Sequence, residues 1–173
     1  TASRQVLCGN EVYTVGVLVQ ANQGRRPQLV VDGVPVGKEI PELLPQRGGE
    51  KTKSLLVVIA TDAPLIPIQL QRLCKRATLG MARTGAISTH GSGDLLLAFS
   101  AAQRFAREPL RQVGALANSE ISHLFQGVVE ATEEAILNSL TMAYTMVGRD
   151  GNTIHALPLD RLVQVMRAHG RLK

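Results

Sequence analysis

The sequence predicts an α/β or layered α+β domain, and three features carry that prediction. Short aliphatic and β-branched runs at 13–21, 54–60 and 95–99 lack a helical period and are bounded by glycine, asparagine or charged residues. Longer stretches at 66–81 and 119–147 repeat apolar residues every three or four positions. The two kinds of segment alternate along the chain, which is the pattern of helices layered on a sheet. Composition agrees: 173 residues with 45% hydrophobic and 19% charged side chains are ordinary for a folded domain and exclude disordered or fibrous classes.

The elements follow in order. Residues 13–21 (YTVGVLVQA) read as a buried strand ending at Asn22, with a Gln-Gly breaker behind it. A short second strand is expected at 28–31, then a turn at Asp32-Gly33 and an edge or loop over 34–37. Residues 41–53 carry two prolines, a glycine pair and mixed charges, and form the best linker in the chain, exposed and cleavable. Ser54 then opens SLLVVIA, which fits a strand buried on both faces. Asp62 stands where a helix N-cap belongs, with Pro64 in the first turn and Ile66, Leu70, Leu73, Ala77 and Met81 on one face. Gly91-Ser92-Gly93-Asp94 leads into a short strand at 95–99. A helix is expected over 119–147, capped by Asn118 or Ser119 and stopped by Gly148, followed by a turn at 149–152, a short strand at 153–156 and a last helix at 158–167.

Several function classes fall away on the same reading. The net charge of +5 is spread along the chain, aromatics are 3%, and Arg72, Lys75, Arg76 and Arg83 read as a solvated helix face, so nucleic-acid binding is not indicated. The longest run without a charged side chain, 135–148, is shorter than the ~20 residues of a membrane-spanning helix. The chain opens on Thr1 with no basic, apolar leader and reads as a piece of something longer. Cys8 and Cys74 lack metal or redox spacing, and the four histidines at 90, 123, 155 and 169 show no ligand pattern, so no metal is expected. The G-x-S-x-G elbow of the common serine hydrolases is absent.

The physically interesting residue is Ser54. It stands between a hydrophilic stretch and a buried strand, so cleavage of the Lys53–Ser54 bond would give a free α-amine on a residue whose hydroxyl is held at a strand end. Such an amine has a pKa of about 8, is partly neutral at physiological pH, and can accept the hydroxyl proton without a histidine. The glycine turn 91–94 can cradle an anion through successive N–H groups, but it runs from loop into strand rather than strand into helix and reads as a structural turn.

Five ordered segments together carry a resemblance: YTVGVLVQAN at 13–22, GVPVG at 33–37, SLLVVIATDAPL at 54–65, GSGDLLLAFS at 91–100 and GRDGNTIHALPL at 148–159. Over nearly its whole length the chain resembles the DmpA-type family of L-aminopeptidase D-Ala-esterase/amidases and β-aminopeptidases. The resemblance implies a four-layer α/β/β/α sandwich, related to the acyltransferases of arginine biosynthesis, of which this chain is the C-terminal half. It implies a self-processing serine hydrolase without a cofactor. Residues 1–53 would be the end of the α subunit, with 41–53 as processing linker, and 54–173 the β subunit, the two together making one domain. Ser54 matches the nucleophile, Ser92 and Asp94 the residues that orient its amine and hydroxyl, and Asn22 the donor to the oxyanion. Asn138, Asp150 and His155 fall in matching segments as packing and turn residues.

The chain departs from that pattern in having Lys53 where a glycine or asparagine usually precedes the nucleophile. It also has Asp94 where β-peptide-cleaving members carry glutamate, and an α part shorter than the family's. The expected substrates are small peptides, aminoacyl amides or esters, and the expected partners are the remaining α-subunit segment and further αβ units in a homo-oligomer, with no nucleic acid and no membrane. The expected compartment is the cytoplasm, or the periplasm if a leader precedes this chain. Two other readings are a related self-processing acyltransferase, which would be led by threonine, and a non-cleaving assembly module of the same fold.

Overall fold

The computed structural model describes residues 1–44, 53–104 and 112–173. Its centre is a four-stranded sheet in spatial order β1 (Ala2–Cys8), β2 (Glu11–Asn22), β3 (Ser54–Thr61) and β4 (Leu95–Ser100). The pairs β1–β2 and β2–β3 are antiparallel, and β4 runs parallel to β3. A parallel pair needs a crossover, and α2 (Pro67–Arg83) supplies it. The α/β class read from the sequence is therefore the observed one. The linker expected at 41–53 lies mostly outside the described residues.

α2 and α3 (Ile121–Thr141) cover one face of the sheet. Val15 and Val17 of β2, with Leu55, Val57 and Ile59 of β3, meet Leu73, Ala77, Met81, Leu124, Val128, Ala131 and Ala135 in one buried core. The helices pack closely because a side-chain carbon on Gly80 would lie 2.4 Å from the Val129 carbonyl oxygen and 2.8 Å from Thr132 Cβ. Gly80→Ala is therefore expected to destabilise by about 2 kcal/mol, despite alanine's better helix propensity, because α3 must shift. Urea unfolding at unchanged m-value checks this.

Among the described residues the opposite face is left uncovered, so 54–60, expected to be buried on both faces, is covered by them on one side only. Alternation along β3 turns Leu56, Val58 and Ala60 away from the helices, and their lateral neighbours are Leu18, Leu95, Leu97 and Phe99. Leu18 is 53% exposed, Leu97 60% and Phe99 47%. Of a four-layer sandwich, the described residues form one helix layer and one sheet.

Other boundaries moved for local reasons. ASRQVLC, for which the sequence analysis assigns no element, is strand β1 and pairs along its length with 11–17 of β2. Residues 28–31 are no strand: a 3₁₀ turn at Arg26–Gln28 precedes a single bridge between Val31 and Val34, closed by Asp32 and Gly33 at positive φ. Val36–Glu39 is a one-turn helix, α1, rather than an edge. Asp62 caps no helix; its Oδ1 accepts the Thr14 N–H at 2.7 Å, and α2 starts later, with Pro67 at its first position. The Ile66 N–H is satisfied by Gln69 Oε1, while Gln69 Nε2 donates to the Leu116 carbonyl.

α3 ends at Thr141 rather than 147, because Met146–Val147 pairs with Thr153–Ile154 as a hairpin, β5 with β6, closed by a 3₁₀ turn at Arg149–Gly151. Asn118 is no helix cap; it accepts from Gln69 and Arg72. α4 (Leu159–Ala168) buries Val165 and Met166 against Val34, Val36 and Ile40 in a second, smaller core. Nor are the basic residues of α2 only a solvated face. Arg76 lies 3.9 Å and Arg72 5.0 Å from the Phe125 ring centre, and Arg83 pairs with Glu133.

β1 is stapled to α3 by Arg4, which pairs with Glu130 and Glu134. Gln126 first, and then Arg4, hold the Glu130 carboxyl below the usual range against the opposite pull of partial burial. A depressed carboxylate stabilises the fold above its unfolded pKa and loses that contribution as pH falls through its folded one. Both partners are about one-third exposed, so the effect stays under about 1 kcal/mol. Amide exchange of β1 is expected to quicken slightly, relative to β3, between pH 7 and pH 3, and Arg4→Ala is expected to remove that difference.

Candidate active site

The end of the sheet where β3 begins gathers the residues singled out from the sequence. Ser54 is the first residue of β3 and lies directly across from Asn22, the last residue of β2. Both belong to the alternating set that faces away from the helices, together with Leu56 and Leu18. β4 begins beside them, so the glycine turn 91–94 that feeds it is delivered to the same end.

That turn is tightly built. The Ser92 N–H donates to the Thr89 carbonyl at 2.8 Å, Gly91 has φ +100°, and a side-chain carbon on Gly93 would sit 3.8 Å from Ser54 Cβ. The Asp94 carboxylate is the hub. Oδ1 accepts the Leu55 N–H at 2.9 Å, and Oδ2 accepts the hydroxyls of Ser92 at 3.0 Å and Ser88 at 2.8 Å. Asp94 thus clasps the backbone one residue beyond Ser54 and holds the Ser92 hydroxyl.

Lys53 belongs to the same cluster. Its carbonyl, the acyl group of the 53–54 peptide bond, accepts the Gly93 N–H at 3.2 Å. Its ammonium donates to the Gly24 carbonyl, and burial first, then the charge of Arg25, push it below the ordinary lysine range. The Lys53 side chain is thereby held against the segment after β2, and it lines a small pocket together with Ser88, Ser92 and Asp94. Asn22 also edges a cavity of about 370 Å³ walled by Ile136, Leu140, Ala143 and Leu157, with Arg25, Arg26, Gln28 and His155 as polar contributors; Ser54, Ser92 and Asp94 do not line it. Of the other histidines, His169 follows α4 with Nε2 3.7 Å from a Glu39 oxygen, and His123 lies on α3 in a surface groove shared with residues 4–7 of β1.

Four sequence candidates, Asn22, Ser54, Ser92 and Asp94, are therefore neighbours, although they come from three segments up to 72 positions apart. Sequence alone gives no sign of Ser88, which sits in a loop with no motif of its own, and it offers the N–H groups of the 91–94 turn only as a general anion cradle, not the Gly93 N–H as the donor to Lys53. Among the described residues no helix is long and apolar enough to cross a membrane.

Comparison with known proteins decides the family. The pattern of peptidase family S58 matches residues 1–154. The chain belongs to peptidase family S58. It is 42% identical to the beta-peptidyl aminopeptidase BapA of Sphingosinicella xenopeptidilytica, over 97% of this chain and 46% of that protein. Among solved structures it is similar to the L-aminopeptidase D-Ala-esterase/amidase of Ochrobactrum anthropi, with TM-score 0.90 and 38% identity over 99% of this chain and 48% of that one. That protein is described as a variant of the Ntn hydrolase fold. The PH0078 protein of Pyrococcus horikoshii OT3 gives TM-score 0.90 and 47% identity over 98% of this chain and 47% of its own. This S58 chain thus spans about half the length of the relatives it matches.

Proposed function

We propose that this chain is the catalytic half of a self-processing serine aminopeptidase or amidase, with Ser54 as nucleophile. The observation that carries the reading is the meeting of Ser54, Asn22 and the Ser92–Asp94 pair at one sheet end, with the Lys53 carbonyl bonded to the Gly93 N–H. Self-cleavage begins with attack of Ser54 Oγ on the Lys53 carbonyl carbon. The C–N bond breaks, the Ser54 nitrogen gains a proton, and an ester links residue 53 to the hydroxyl. Water then hydrolyses the ester to a Lys53 carboxylate and a free Ser54. The Gly93 N–H stabilises the charge on the Lys53 oxygen in that step.

The freed α-amine of Ser54 then serves as its own base. In its neutral form it accepts the hydroxyl proton as Oγ attacks the N-terminal aminoacyl carbonyl of a small peptide, amide or ester. Asn22 donates to the developing oxyanion, the amine or alcohol leaves with the proton, and water returns the enzyme. The relatives' names support an aminopeptidase, and the serine at position 54 disfavours the threonine-led acyltransferase reading.

The exposed sheet face of Leu18, Leu56, Leu97 and Phe99 would then be covered by the remaining α-subunit segment, and assembly of αβ units belongs to the same reading. The test is hydrolysis of aminoacyl p-nitroanilides by the purified full-length protein, with D-, L- and β-residues compared. Turnover that appears in step with a fragment beginning Ser-Leu-Leu-Val-Val supports the proposal; a stable uncut chain that is fully active, or one that is inactive, defeats it.

A further inference from the structure

We propose that Ser88 is a positioning residue for the Asp94 carboxylate, and through it for the Ser92 hydroxyl; this rests on the reading of the site given above. Asp94 is held by donors from three segments: the Leu55 N–H of β3, the Ser92 hydroxyl of its own turn, and the Ser88 hydroxyl of the loop that follows α2. The Ser88 contact, 2.8 Å, is the shorter of the two at Oδ2. A carboxylate gripped only at Oδ1 by Leu55 can swing its other oxygen about the terminal torsion, which is soft. Ser88 closes that freedom, so Oδ2 meets the Ser92 hydroxyl in one place.

The loop supports this role. Ser88 has φ +43°, a left-handed conformation that favours glycine over any residue with a side chain. The loop's start is pinned, since a side-chain carbon on Gly85, at φ +90°, would lie 1.6 Å from the Gln28 carbonyl oxygen. Its end is pinned by the Ser92 N–H on the Thr89 carbonyl. A serine therefore occupies a glycine-like position, and its hydroxyl is spent on Asp94 rather than on the loop's own backbone.

The backbone conformation provides a clean test in the full-length protein. Ser88→Gly removes the hydroxyl at a position where glycine relieves strain, while Ser88→Ala removes it and keeps the strain. Both variants are expected to slow first-order self-cleavage at 53–54 and to lower kcat by about tenfold, with KM within about twofold and the glycine variant's Tm unchanged or raised. Full rates in Ser88→Gly, or a loss confined to Ser88→Ala, would overturn the proposal by assigning the effect to backbone strain. In an Asp94→Ala background Ser88→Gly is expected to do nothing further, and an additive loss would refute action through Asp94. An active, self-cleaving wild type with an equally active Ser88→Gly sinks only the Ser88 role; an uncut, inactive wild type sinks the Ser54 reading and this proposal together.

Discussion

Replacement of Ser54 by alanine in the full-length precursor is expected to leave the 53–54 bond intact and to reduce turnover by about 10⁴-fold or more. One hydroxyl is assigned two reactions: attack on its own preceding carbonyl, and attack on the substrate. Without the first reaction the α-amine is never freed, so nucleophile and base disappear in one substitution. Ser54 is partly exposed at a strand end, so the loss of its hydroxyl leaves no buried orphan and the fold is expected to survive. Intact mass and N-terminal sequencing provide the measurement. Wild type is expected to give a fragment beginning Ser-Leu-Leu-Val-Val, and Ser54→Ala a single chain with an unchanged melting temperature. A Ser54→Ala protein that is still cut after Lys53 would remove Ser54 from the processing step.

Asn22→Ala is expected to lower kcat by about 10²–10³, with KM within a fewfold, because the lost amide N–H acts where charge develops and not on the resting carbonyl. Asn22 is exposed at the end of β2, so stability is expected to be unaffected. Self-cleavage should suffer less than turnover, since the Lys53 carbonyl already accepts the Gly93 N–H. Steady-state kinetics on an aminoacyl p-nitroanilide, beside the first-order rate of fragment appearance, separates the two steps. Equal losses in both would make Asn22 the shared donor and leave Gly93 a turn contact.

Both predictions rest on residues that are legible in the sequence alone. Ser54 stood at the boundary between a hydrophilic stretch and an aliphatic run, a local signal of a strand start, and β3 begins there. Asn22 closes a β-branched run read as a buried strand, and β2 ends there. Local patterning also established the α/β class and the inner face of α2, where Leu73, Ala77 and Met81 are buried as their spacing requires. Where it failed, longer-range partners won. Asp62 carries the side chain of a helix cap, yet a backbone N–H 48 positions away claims it. Residues 142–147 continue a helical pattern, yet 153–154 capture 146–147 in a hairpin.

What the sequence determined by itself, then, is the class of the fold, the strand ends at Asn22 and Ser54, and the resemblance that joins them to Ser92 and Asp94. Periodicity, breakers and turn residues act within a few positions, so such features can be read along the chain. Only the tertiary structure decided that Asn22 and Ser54 pair across two strands and that the described residues cover one face of the sheet and not the other. It alone placed the Gly93 N–H on the Lys53 carbonyl and the Ser88 hydroxyl on Asp94. Those contacts depend on strand register and on where a loop is pinned, and both are set by packing among residues far apart in sequence.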